Sequence, residues 1–277
     1  MNSKINSFQA ETSVERRRLD IHDGSYRLPV EIIEPLARST GATRPILVFL
    51  HEGLGSIAQW RDFPLAVSLA AHLPAVVYER GGYGNADPLD APRSVRYIHE
   101  EALRSLPEVL RQLQIDDAIL IGHSDGGSIA LIFAALWPRK VRGIITEAAH
   151  VFVEDATLTG IREVVNQYDL TDLPERLSMY HGSNTDAVFR GWSETWLSPA
   201  FRDWNIGEYL PGIRCPVLAI QGRDDEYGTP AQVEAIVNGV SGTAEPLIIA
   251  DCGHVPHHQA REMVLAEMTR FILRVCP

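Results

Sequence analysis

The sequence predicts an α/β fold: a doubly wound, mostly parallel eight-stranded sheet carrying a helical insertion. Three observations lead there. Short apolar runs of strand length alternate with longer segments rich in helix formers. Several of these runs are apolar at nearly every position, as strands covered on both faces are. The alternation lapses over residues 151–211 and then resumes, so the expected organisation is a core of residues 1–150 and 212–277 interrupted by a helical segment at 151–211.

Residues 14–20 and 28–34 read as two strands around a turn at Asp23-Gly24. Pro29 and the charges, including Arg16, Arg17 and Arg18, put them near a sheet edge. Residues 35–44 read as a loop, and 45–50 as the first strongly buried strand. A helical pattern over 60–73 carries Trp60, Phe63, Val67 and Ala70 on one face and leads to a strand at 75–78. Another helix is expected from about 95 to 113, kinked at Pro107. Residues 118–121 are continuously apolar, whereas 128–137 are too long for a buried strand, rich in helix formers, and stop at Pro138. Further strands are expected at 141–146, 215–221 and 245–250, and a last helix at 259–275 with His257 and His258 at its start.

Between the strand at 118–121 and the helix after it lies Gly122-His123-Ser124-Asp125-Gly126-Gly127. A serine in so sharp a turn is held in a strained backbone that pushes its hydroxyl clear of the sheet, and flanking glycines remove the collisions that side chains would make. In an open parallel sheet, ligands bind beyond the carboxyl ends of the strands. Three more loops there carry chemistry: His51-Glu52-Gly53-Leu54-Gly55-Ser56, Gly222-Arg223-Asp224-Asp225-Glu226 and Asp251-Cys252-Gly253-His254.

These motifs resemble those of the α/β-hydrolase superfamily over about residues 14–276, least so in the insertion. The loop at 51–56 is similar to the His-Gly-Gly-Pro-Gly form of prolyl-aminopeptidase-like members, with Glu52 and Leu54 as departures. The resemblance implies Ser124 as nucleophile, His254 as base, and Asp225, third after Gly222, as the acid, with Asp224 as the alternative. It also implies that the backbone N–H groups of Gly53 and Asp125 form an oxyanion hole, and that residues 151–211 form a lid. His51, Glu52, Glu147, His150, Trp192 and Trp196 are candidate pocket or supporting residues. A carboxylate beside an oxyanion hole opposes the charge stabilised there, so Glu52 is expected to pair with a nearby cation such as Arg80. At least two of Trp192, Trp196 and Trp204 are expected to fill the lid's own core.

The activity implied is hydrolysis of a carboxylic ester or thioester of a small acyl substrate through an acyl-serine, with no cofactor. Aminopeptidase-like amide hydrolysis and carbon–carbon bond hydrolysis stay open as neighbours. A small-molecule receptor and a cofactor-free oxygenase are the alternatives of another class. A net charge of −11 argues against a nucleic-acid partner. Three scattered cysteines offer no disulfide framework, and neither a signal peptide nor a long apolar run is evident, so a cytoplasmic protein away from membranes is expected. His257 and His258 lack a companion acid at the spacing of a zinc helix, so no metal is expected. Oligomeric state is left open.

Overall fold

The computed structural model describes residues 12–21, 26–35 and 44–276. Among the described residues eight strands form one sheet: β1 (Thr12–Ile21), β2 (Tyr26–Pro35), β3 (Ile46–Leu50), β4 (Ala75–Tyr78), β5 (Ala118–His123), β6 (Val141–Glu147), β7 (Val217–Gly222) and β8 (Ala244–Ile249). Their spatial order is β1-β2-β4-β3-β5-β6-β7-β8. Pairing is antiparallel for β1 with β2 and for β2 with β4, and parallel from there on. The arginine run lies on edge strand β1, while the expected turn at Asp23-Gly24 and most of the loop at 35–44 lie outside the described residues.

The central strands are apolar over most of their length because both faces are covered. β4 and β5 are buried at every position, and so is β3 after its first residue. One face packs on α1 (Phe63–Ala71) and the C-terminal helix, and the other on α4 (Asp125–Leu136) and the helices before β5. Those helices are α2 (Tyr97–Glu100) and α3 (Leu106–Gln112), joined by a π turn at Glu101–Ser105. The disturbance expected at Pro107 takes that form: the backbone widens one turn earlier, next to the residue that has no N–H to donate.

Between β6 and β7 the chain forms α5 (Asp155–Leu170), α6 (Leu173–His181), α7 (Thr185–Leu197) and short 3-10 turns. The core resumes with α8 (Ala231–Gly239) after β7, then α9 (Pro256–Gln259) and α10 (Arg261–Val275) after β8. His257 and His258 therefore sit in a separate short helix and not at the start of the last one. The break falls at Ala260, whose extended φ of −127° interrupts the spiral. Among the described residues no helix is long and apolar enough to cross a membrane.

Candidate active site

The elbow forms because two glycines let backbones touch. A Cβ on Gly126 would fall on the carbonyl of Leu50, and one on Gly122 would fall on the carbonyl of Gly126, so the turn closes directly against β3. Ser124, between them, adopts φ 51° and ψ −117°, a conformation that strains a side-chain-bearing residue by about 1–3 kcal/mol. The surroundings impose it. The Ser124 N–H donates to the Glu147 carbonyl at 2.8 Å, and the Ser124 carbonyl accepts from Gly127 at 2.9 Å and Ser128 at 3.1 Å.

Asp225, at the β7 exit, meets His254, at the β8 exit. Both carboxylate oxygens lie 2.9 Å from Nδ1 of His254. The carboxylate is itself fixed, accepting from Gln221 Nε2 and the Tyr227 N–H at 2.8 Å each. Burial works against its charge, but the imidazole beside it and the Tyr227 N–H outweigh that and hold its pKa below the usual range. Its neighbour Asp224 is exposed. Ser124 and His254 line one cavity of about 80 Å³, together with Glu52, Gly53, Leu54, His150, Thr157, Ile161, Trp192, Trp196 and Tyr227.

The loop at 51–56 is pinned through one carbonyl. Glu52 C=O accepts from Arg80 Nη2 at 2.6 Å, His51 Nδ1 at 2.8 Å and the Gly55 N–H at 3.1 Å. In a trans peptide the N–H of the next residue points the opposite way, so fixing Glu52 C=O aims the Gly53 N–H. Arg80, almost fully buried, also reaches Asp125 Oδ2 at 3.5 Å. That carboxylate oxygen accepts from Tyr97 Oη at 2.6 Å, and Tyr97 Oη in turn accepts from Trp196 Nε1 at 2.9 Å. The Asp125 N–H opens the first turn of α4 and has no partner within the helix. His181 of α6 joins the insertion to the same loop, accepting from the Gly84 N–H and donating to the Leu54 carbonyl at 2.9 Å each.

Two expectations need correction, the partner of Glu52 and the place of the tryptophans. The Glu52 carboxylate pairs with His123, Oε2 lying 3.3 Å from Nδ1, and not with Arg80, whose guanidinium is spent on the backbone carbonyl of Glu52. Burial raises the Glu52 pKa, yet the hydrogen bond and charge of His123 overcome it and hold the carboxyl well below its usual range. Of the candidate pocket or supporting residues, Glu52, His150, Trp192 and Trp196 line the cavity, and His51 and Glu147 stand behind it. His51 is turned to Arg80, and Glu147 accepts from the N–H and Nδ1 of His257 at 2.9 and 3.1 Å. Two of the three tryptophans face the cavity; only Trp204 is confined to the aromatic cluster with Trp196 and Phe201.

Thr157, Ile161 and Tyr227 carry no local signal in the sequence that marks them as cavity residues. Arg80 does carry one, a charged side chain directly after a fully buried strand and one residue. Among the described residues no group of three or more His, Cys, Asp or Glu side chains is placed to hold a metal ion.

A strained serine at a strand-to-helix turn, on the carboxyl rim of a parallel sheet and sharing a cavity with the histidine of an Asp–His pair, defines the nucleophile-elbow class of α/β enzymes. The chain belongs to the alpha/beta hydrolase fold family, whose model matches residues 45–205. It is similar to the proline iminopeptidase of Lactobacillus delbrueckii subsp. bulgaricus, with 23% identity over 78% of this chain and 85% of the relative. Similarity of the same degree, 23% over 80% of this chain and 86% of the relative, links it to the 2-hydroxy-6-oxo-2,4-heptadienoate hydrolase of Pseudomonas putida. Among solved structures, an esterase from Exiguobacterium antarcticum superposes with a TM-score of 0.71 at 17% identity, covering 93% of this chain and 99% of that one, a likeness of fold. The protein is thus a hydrolase of the α/β class.

Proposed function

We propose that this hydrolase cleaves an ester or thioester of a small, uncharged acyl group through a covalent acyl-Ser124 intermediate. The observation that carries the reading is the Asp225 carboxylate held by both oxygens against His254 Nδ1, at a cavity that Ser124 lines. With Nδ1 donating to Asp225, the proton-free Nε2 of His254 takes the Ser124 proton as Oγ attacks the acyl carbon. The N–H groups of Gly53 and Asp125 stabilise the resulting oxyanion, each such donor contributing about 3 kcal/mol. His254 returns the proton to the departing alcohol or thiol. A water deprotonated by the same nitrogen then attacks the acyl-enzyme and releases the acid.

The lining supports the choice of acyl group. Apart from its polar reacting groups, the cavity is walled by Leu54, Ile161, Trp192, Trp196 and Tyr227. No Lys or Arg is among the lining residues, so nothing there pairs with a carboxylate such as a dienoate carries. The one lining carboxylate, Glu52, has its charge matched by His123, which leaves little for an aminoacyl cation. The relatives' names favour a second reading, amide or carbon–carbon bond hydrolysis, which would use the same acyl-serine.

The test is covalent labelling by a fluorophosphonate together with turnover of aryl esters, acyl thioesters, aminoacyl anilides and ring-cleavage diketones. Labelling is expected in the native chain and lost in Ser124→Ala, with esters of short neutral acids turned over fastest. Labelling that persists in Ser124→Ala would refute the nucleophile. Preference for anilides or diketones would replace the substrate class.

A further inference from the structure

The residue between Gly122 and Ser124 has no surface in contact with water. Its ring nitrogens each face an oxygen: Nδ1 of His123 lies 3.3 Å from Glu52 Oε2, and Nε2 lies 2.7 Å from the backbone carbonyl of His254. A carbonyl can only accept, so Nε2 carries a proton. A carboxylate also only accepts, so an ionised Glu52 requires a second proton on Nδ1. One side chain thereby joins the elbow to the oxyanion loop on one side and to the histidine loop on the other. We propose that His123 is a positioning residue for the reaction at Ser124, a buried imidazolium whose two N–H groups hold the Glu52 and His254 loops in register. This rests on the acyl-serine reading given above.

The surroundings support the charged form. Glu52 faces the ring from the β3 exit and Glu147 acts on it from the end of β6. The His254 ring approaches from the β8 exit with centroids 5.1 Å apart, and His257 from α9 at 5.2 Å; Trp60, uncharged, closes a further side at 6.2 Å. Burial, and then His257, Arg61 and His123, lower the pKa of nearby His258 to about 4, so it adds no positive charge near neutrality. Burial opposes the His123 proton, but the two carboxylates and the carbonyl prevail and push its pKa up to about 9. A consequence follows for the oxyanion. The carboxylate beside it is neutralised from behind, so the negative charge that forms on substrate is not set against an unpaired one.

Deprotonation on the alkaline side removes one of the two ties, so turnover falls there. The experiment is ¹⁵N NMR of the imidazole nitrogens in the full-length protein, with the His123 signal identified by its loss in His123→Asn or, if that variant does not fold, by its displacement in Glu52→Gln. Two protonated nitrogens are expected at pH 7.5, titrating near 9. The alkaline limb of kcat/KM should coincide with that titration, and Glu52→Gln should lower both by about 1–3 pH units, the usual effect of an adjacent opposite charge. One bare nitrogen at pH 7.5 would place the proton on Glu52 and overturn the proposal, as would an alkaline limb unmoved in Glu52→Gln. Failure of the native protein to label at Ser124 would instead remove the acyl-serine reading and the positioning role with it, whatever the ring's protonation. Labelling together with a bare nitrogen would overturn the positioning role alone.

Discussion

Replacing Arg80 with methionine removes a buried cation and its fork of donors while keeping a side chain of similar reach. In the native protein that fork donates to Glu52 C=O at 2.6 Å and lies 3.5 Å from Asp125 Oδ2, so it touches the peptide group that carries the Gly53 N–H and the side chain of Asp125, the two residues whose N–H groups are proposed to meet the oxyanion. Neither is abandoned in the variant: His51 and Gly55 still donate to Glu52 C=O, and Tyr97 still donates to Asp125. The loss is a charge-assisted hydrogen bond of about 1.5–3 kcal/mol. Complete loss of one oxyanion donor sets an upper bound of about 3 kcal/mol, or ~10²-fold. An aim disturbed but not destroyed should lower kcat by about 10- to 100-fold with KM little changed, because the interaction acts in the transition state. The same ~3 kcal/mol off stability lowers Tm by roughly 6–12 °C at about 2–4 °C per kcal/mol, which leaves a folded protein to assay. Arg80→Lys keeps the charge without the fork and should fall between the two. Steady-state kinetics on an aryl ester checks all three. A folded Arg80→Met enzyme with kcat within ~2-fold of the native value would refute the claim that the Glu52–Gly53 peptide is aimed through its carbonyl.

Asp225→Asn should reduce kcat by up to ~10⁴, as in other Ser–His–Asp sites, while Asp224→Asn, at an exposed position, changes it little; equal losses would unseat Asp225. Trp192→Ala removes the wall that covers Gly53 and should shift ester preference toward longer acyl chains, read as kcat/KM across a chain-length series. Thermal stability should peak near pH 6.5 and fall on both sides. His181, held neutral by burial against the opposing pull of the Leu54 carbonyl and Glu52, has a folded pKa below the unfolded value of about 6.5, so its contribution is lost as pH drops below that value. His123 has the opposite sign: its contribution is full below about 6.5 and is lost as pH rises through about 9. Tm measured from pH 5 to 10 checks the shape, and His181→Gln should flatten the acid side.

The sheet and the elbow are legible in the sequence because each depends on neighbours in the chain. A run such as Ala118–His123 can be buried on both faces only if every side chain tolerates it, and Gly122 and Gly126 bracket Ser124 within five residues. The Asp225–His254 pair is legible only through the loops that carry its two members, since 29 residues separate them. Partner choice is where the sequence falls silent. Glu52 meets His123 across 71 residues and His123 meets His254 across 131, and no periodicity encodes such pairings. Arg80 was the plausible partner for the Glu52 carboxylate by charge alone. The backbone carbonyl wins that guanidinium because a peptide group fixed in a buried loop needs a donor as much as a carboxylate does. The tryptophans mislead for a related reason: composition says that large aromatic residues are buried, but not whether the surface that buries them is a core or a substrate cavity.

Charge at the site is then decided by what each imidazole faces. His51 sees one acceptor, the Glu52 carbonyl, and one donor, the Arg80 N–H, so it is a neutral tautomer, and burial beside Arg80 pushes its pKa down in agreement. His181 sees one donor and one acceptor and is neutral likewise. His150 donates Nε2–H to the Tyr227 carbonyl at 3.0 Å, and burial and the nearby His254 keep it neutral. Of these four rings, His123 alone sees two acceptors. The loop at 51–56 is thus flanked by a buried guanidinium at its backbone and, on this proposal, an imidazolium at its one carboxylate, with the neutral rings of His51, His150 and His181 nearby. In a cavity where charges are weakly screened, this pattern biases the loop toward accepting a transient negative oxygen. Because proton placement at His123 depends on Glu52, exchanging Glu52 for a neutral residue would alter the electrostatics on both sides of Ser124 at once, so the departure from the glycine-rich loop of prolyl-aminopeptidase-like members is coupled to the histidine that precedes the nucleophile.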